Sequence, residues 1–333
     1  MQHLPLPIGS SHGERRSGWP VVNKSGERRS AGRVAHSLEI ATLAALAALA
    51  VIVPQPAWAT TLTSVQFATD TPTLFGSQLV TPDEAATDDL AGNVGTVSLG
   101  TLPAGVHVTG FEVDQAQNRL LFSLDVPVVL GGALFTPRDV IGYASGAYSQ
   151  VWNGAAAGVP EGTHIEGISV DSQGGLLLAL DTPATLGSVA YDPRDVVLWK
   201  GGGFSLAFDG VASGLEPGLH VDGVHALVNG HLLLSFDGNG VVGGVAFFDD
   251  DVLELDPIGA AWSKVYDGQS AHQGWVAANL AALSAMPLPA VTAIPTLSAA
   301  GLALLAFFLL VTAWILARRA GTGHRSRHYR PIP

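Results

Sequence analysis

The chain has 333 residues, a net charge of −12 and no cysteine, which excludes a disulfide framework, thiolate metal sites and thiol nucleophiles together. Forty Gly and twenty Pro spread along it argue for many turns rather than long soluble helices. The 47% of hydrophobic residues is ample for one large core and two membrane-active segments.

Charge is distributed unevenly. Of 28 acids, three precede residue 60 and none follows residue 290; of 16 Lys and Arg, six precede residue 60 and five follow residue 317. Residues 60–290 therefore carry 25 acids against five bases, a net of −20. A domain so acidic repels nucleic acid and anionic lipid, so DNA and RNA are excluded as partners. It can attract cations.

Residues 1–59 are expected to be a signal peptide with a long basic n-region. Residues 40–53 form an uncharged apolar run of 14, preceded by bases such as Arg28, Arg29 and Arg33. Pro54-Gln55-Pro56-Ala57-Trp58-Ala59 follows. Signal peptidase accepts small side chains at Ala57 and Ala59, which places cleavage after Ala59. The run is short for a membrane span; the competing reading is an anchor that stays uncleaved. The length of the n-region leaves a start downstream of Met1 open.

Residues 60–285 repeat with a period of about 56 residues. Gly105-Val106-His107-Val108-Thr109-Gly110 recurs as Gly162-Thr163-His164-Ile165-Glu166-Gly167 and Gly218-Leu219-His220-Val221-Asp222-Gly223. Leu121 to Asp125 recurs as Leu177 to Asp181 and Leu233 to Asp237, and Pro137-Arg138-Asp139-Val140 as Pro193-Arg194-Asp195-Val196 and Asp249-Asp250-Asp251-Val252. Each copy closes on an aromatic strand near Trp152, Phe204 or Trp262. A fourth copy is split. Val65 to Pro72 and Pro82-Asp83-Glu84 supply most of it, and His272-Gln273-Gly274-Trp275-Val276 is the candidate for its missing opening.

Each unit is predicted to hold four short strands; in the second they cover roughly 164–171, 175–181, 195–200 and 204–209. Four-stranded antiparallel sheets at this repeat length are propeller blades, and a split copy is how such a ring closes. The expected fold is therefore an all-β, four-bladed β-propeller, with a β-sandwich as the alternative.

In such a ring equivalent positions surround the axis. His107, His164 and His220, with His272 as a possible fourth, would converge near one mouth, where neutral imidazoles could hold Zn²⁺. The competing reading has each His bonded to a neighbouring blade's backbone. A second ring is acidic: Asp125 and Asp139, Asp181 and Asp195, Asp237 and Asp251, and Asp70 and Glu84 are each 14 apart. If the pairs met across a loop base they would suit Ca²⁺; as strand-ending turn formers they would need no ion. Arg138 and Arg194 are expected to pair with Asp139 and Asp195. Gly238 to Gly243 matches G-x-G-x-x-G, but no helix follows to receive a phosphate. No nucleophile–base set stands out, so no catalytic residue is assigned.

After a linker at 286–293, Leu297 to Ala317 is an uncharged run of 21 residues, followed by Arg318-Arg319 and a basic tail at 321–333. As a helix it would span about 30 Å, enough to cross a membrane with the tail cytoplasmic. Ile294-Pro295-Thr296-Leu297-Ser298, with Gly301, the apolar run and Arg318-Arg319, resembles the IPTL-CTERM sorting signal of Gram-negative bacteria over about residues 294–320. The family usually has Trp before the glycine, where this chain has Ala300. The resemblance implies that an exosortase-type enzyme reads the tail and can remove it.

The whole implies an exported, surface-sorted, non-enzymatic binding or structural protein. It would be anchored facing the periplasm or released to the cell surface, with its ligand unspecified. The alternative is a secreted hydrolase or lyase using the repeated Asp residues.

Overall fold

A computed structural model describes residues 58–288. The expected signal run, Ala57, the motif Ile294–Ser298, Gly301, the 297–317 span and Arg318-Arg319 lie outside the described residues. Among those described, no helix is long and apolar enough to cross a membrane.

The chain forms four antiparallel four-stranded sheets, here given from the axis outward. The first is β24 (Leu280–Pro287), β1 (Leu62–Thr69), β4 (Ala85–Asp88) and β5 (Val94–Val97). The second is β6 (Val108–Asp114), β7 (Arg119–Leu124), β10 (Val140–Ala144) and β11 (Ala147–Trp152). The third is β12 (Ile165–Val170), β13 (Leu176–Leu180), β16 (Val196–Lys200) and β17 (Gly203–Phe208). The fourth is β18 (Val221–Ala226), β19 (Leu232–Phe236), β22 (Val252–Asp256) and β23 (Ala261–Tyr266). Each inner strand, β6, β12, β18 and β24, packs on the next around the axis. This is a four-bladed propeller, and it rules out the sandwich.

The second strands show why the sequence folds this way. Every residue of Leu176–Leu180 and of Leu232–Phe236 is buried. Strands packed between two neighbouring blades need apolar side chains on both faces, so they appear as continuous runs without alternation. Four hydrophobic clusters result, one at each blade interface. Outer hairpins turn tightly: between β16 and β17, Gly201 and Gly202 take φ of +61° and +83°, the left-handed pair a type I′ turn demands.

Inner strands approach closely where the repeat keeps a small residue. A Cβ on Gly110 would come within 2.9 Å of Ile168, and one on Gly223 within 2.6 Å of Leu283, each on the next blade's inner strand.

Each unit also holds a small hairpin that the four-strand expectation omitted. These are β2 (Thr73–Phe75) with β3 (Gln78–Val80), β8 (Val128–Leu130) with β9 (Ala133–Phe135), β14 (Ala184–Leu186) with β15 (Val189–Tyr191), and β20 (Gly240–Val242) with β21 (Val245–Phe247). The Gly238–Gly243 match lies in the last of these.

The split blade closes as expected, N-terminal β1 pairing with C-terminal β24, but the closing segment differs. His272–Val276 is not its opening: Gln273–Ala277 is a 3-10 helix, and the strand begins at Leu280. Trp275 causes the difference. It is 1% exposed and packs edge-on against Phe67 and Phe75, so the segment folds inward as a plug before the strand starts.

Candidate functional site: the acidic mouth of the central channel

One clasp recurs at the mouth where the inner strands begin. The residue heading each inner strand is His107, His164, His220 or Asn279. Its N–H donates to Oδ1 of the acid ending the second strand: Asp125 at 2.7 Å, Asp181 at 2.7 Å, Asp237 at 2.6 Å and Asp70 at 2.8 Å. Each acid's own N–H donates back to that residue's carbonyl. Asn279, not His272, therefore holds the fourth His position. His272 instead sets Nε2 2.9 Å from Asp88 Oδ2, in a network with Tyr266 and Trp275.

In the three His blades the second carboxylate oxygen faces the imidazole, with Nδ1–Oδ2 distances of 3.8, 3.6 and 3.4 Å. The three imidazoles do not gather into one ligand set. Among the described residues the group with ligand spacing is His164, Glu166 and Asp181, whose donor atoms lie within 4.8 Å of one another.

Glu166 reaches this group through a backbone irregularity. The pairing of β12 with β13 skips from Ile165 to Gly167, so Glu166 is a bulge residue. The same shift brackets Thr109, Asp222 and Ala281. A bulge re-aims a side chain out of the ladder, and here it gathers two acids at one mouth. Burial, then the charges of Asp181 and Asp237, raise the Glu166 carboxyl to about 7. Burial likewise holds Asp222 well above the carboxylate range, against the pull of bonds from Ser235 Oγ at 2.8 Å and Asn279 Nδ2 at 3.1 Å. The mouth thus has a protonatable carboxyl poised near neutrality and a position suited to a cation.

The second acids of the 14-residue pairs do not join this site. Asp139 accepts from Thr136 N and Gly154 N, Asp195 from Asp192 N and Gly210 N, and Asp251 from Phe248 N and Gly268 N; Glu84 accepts from Thr81 N. Each ties a loop to its own blade. A small hairpin separates the two acids of every pair, so the expected meeting across a loop base gives way to two independent clasps. Arg138 and Arg194 also differ from expectation: both donate to carbonyls, Val159 and Leu215, and Arg194 pairs with Asp192.

At the opposite mouth a cavity of about 540 Å³ opens between the ends of the inner strands. There buried Glu112 and His225, from opposite blades, meet at 2.8 Å across the axis.

In the sequence Glu166 and Asp222 stand inside the repeated motif with nothing to mark their role, and Asn279 lies outside every repeat motif that stands out. Aligning Leu280-Ala281-Ala282-Leu283 with Ile165-Glu166-Gly167-Ile168 would have located Asn279, since Ala282 is the small residue of the fourth copy.

No family model and no curated protein matches the chain. Among solved structures it is similar to a protein of unknown function from Bacteroides caccae (10% identity, 62% of this chain and 59% of that one, TM-score 0.26). It is also similar to a streptogramin B lyase (9% identity, 64% and 71%, TM-score 0.30) and to the gluconolactonase XC5397 of Xanthomonas campestris (15% identity, 64% and 61%, TM-score 0.28). This chain spans about three-fifths of the B. caccae protein. Overlaps this loose carry no argument about function.

Proposed function

We propose that the chain is an exported, surface-sorted binding or structural propeller without enzymatic activity. Signal peptidase would cut after Ala59, residues 297–317 would hold the chain in the inner membrane, and an exosortase-type enzyme would read Ile294–Ser298. The acidic domain would face the periplasm or the cell surface. The observation that carries the non-enzymatic reading is the fourfold clasp: in every blade the repeated acid commits Oδ1 to the backbone N–H that heads its own inner strand, the same structural task four times over. The ligand class that suits His164, Glu166, Asp181 and the −20 charge is a divalent cation, Ca²⁺ or Zn²⁺. One observation favours the alternative, a hydrolase or lyase: a carboxyl near 7 is poised for general acid–base work.

Protease added to intact spheroplasts tests the topology. Digestion of the domain with protection of the tail is the expected result, and a cytosolic full-length chain would overturn the proposal. Alanine at Ile294–Ser298 should retain the protein in the inner membrane. Turnover that Glu166→Gln abolishes would favour the enzyme.

A further inference from the structure

Glu254 lies on β22, in the middle of the fourth blade, and is completely buried. A buried carboxylate needs hydrogen-bond donors to offset lost hydration, and its donors come from far along the chain. Thr60 N lies 2.5 Å from Oε2, Thr60 Oγ1 lies 2.8 Å from Oε1, and His231 Nδ1 lies 2.7 Å from Oε1. Thr60 is 194 residues away in sequence, and the strand it leads into, β1, carries Leu62 into the core between the first and fourth blades. The segment before β1 is thus held against the fourth blade through one carboxylate.

Thr60 is also the residue that cleavage after Ala59 makes the first. We infer that Glu254 is the receiving site for the α-amino group released by signal cleavage, an inference that rests on the export reading above. Hydrolysis adds water across the Ala59–Thr60 bond. Ala59 leaves with the signal as a carboxylate, and the Thr60 nitrogen becomes an amine that takes up a proton at neutral pH. A neutral amide donor at 2.5 Å from a buried carboxylate is thereby exchanged for an ammonium at the same place, and charge-assisted bonds are the stronger kind. Cleavage also removes Trp58, whose ring stands edge-on to His231 at 5.9 Å.

The ionisable groups facing the nitrogen are Glu254, His231 behind it, and Asp256, whose Oδ1 lies 3.8 Å from His231 Nε2. The two carboxylates favour the ammonium; a protonated His231 would oppose it. Processing then completes the link between the N-terminal strand, which closes the ring by pairing with β24, and the neighbouring fourth blade.

The test has two stages. Mass spectrometry of the exported protein should find Thr60 first; another N-terminus would overturn both the cleavage reading and this inference. The chain from Thr60 to Pro333, in mild detergent, is then compared with one begun at Ala59, which keeps an amide at Thr60. The Thr60 chain should melt roughly 2–4 °C higher. Its α-amine should react with an acylating reagent roughly fivefold more slowly at pH 7.5, because its pKa rises above the ordinary 7.7–8.0. Both differences should vanish in Glu254→Gln. Equal melting and labelling, or a difference that survives in Glu254→Gln, would overturn the docking while leaving cleavage intact. If Glu254→Gln does not fold, the two starts still decide.

Discussion

Glu166 gives the sharpest quantitative test of the acidic mouth. Its carboxyl is held at about 7 against an ordinary 4.5, by burial first and then by Asp181 and Asp237. Between those two values the folded chain keeps a proton that the unfolded chain has lost, so stability falls as pH rises through this window and stays low above it. At 1.36 kcal/mol per pH unit, the span from 4.5 to about 7 amounts to roughly 3 kcal/mol of destabilisation at pH 8. That figure is an upper bound, because Glu166 is only partly buried and solvent screens part of the cost of its charge.

Glu166→Gln removes the charge and keeps the shape. At roughly 2–4 °C per kcal/mol for a domain of this size, the variant should melt up to about 6–12 °C above the parent at pH 8. At pH 4.5, where the parent's Glu166 is protonated in the folded state, the gain should be about 1 °C. Thermal melts followed by circular dichroism at the two pH values measure this. An equal gain at both would refute the reasoning, because the stabilisation would then have nothing to do with ionisation.

A cation at His164, Glu166 and Asp181 should stabilise the ionised cluster, so millimolar Ca²⁺ or micromolar Zn²⁺ at pH 8 should raise the parent's melting temperature and leave Glu166→Gln unmoved. No effect of either ion or of chelator would end the cation reading. Gly223→Ala forces a Cβ to within 2.6 Å of Leu283 Cβ on the closing strand, and such overpacking costs about 1–3 kcal/mol. Gly167→Ala, whose Cβ meets its neighbours no closer than 3.1 Å, should cost less, and equal melting losses would contradict the close-approach argument. Trp275→Ala empties the aromatic plug beside Phe67 and Phe75 and should cost about 3–5 kcal/mol. Limited proteolysis should then cut first near β1 and β24, whereas cleavage first in the second or third blade would show that the plug does not hold the closure.

Much of the ring was legible because repetition exposes geometry that a single copy hides. The Leu-rich second strands, the glycine turns and the split fourth unit all follow from local rules: buried strands need continuous apolar residues, and left-handed turn positions favour glycine. The His and Asp positions were legible as equivalent, but their roles were not. Asp125, Asp181 and Asp237 stand ready, in sequence, to hold an ion or to end a strand. Only the backbone N–H of a residue 17 or 18 positions earlier, brought alongside by the β6–β7, β12–β13 and β18–β19 pairings, decides that Oδ1 is committed to the clasp.

Sequence by itself determined the acidic charge, the period, the blade count and the two basic flanks, since all of these are properties of order along the chain. The tertiary structure decided that Asn279 and not His272 completes the mouth, because Trp275 is drawn into the core and delays the closing strand. It also decided that Glu166 and Asp222 turn toward the same mouth, because each is a one-residue bulge in its inner strand. And it brought Thr60 to Glu254, a contact that exists only once the ring has closed.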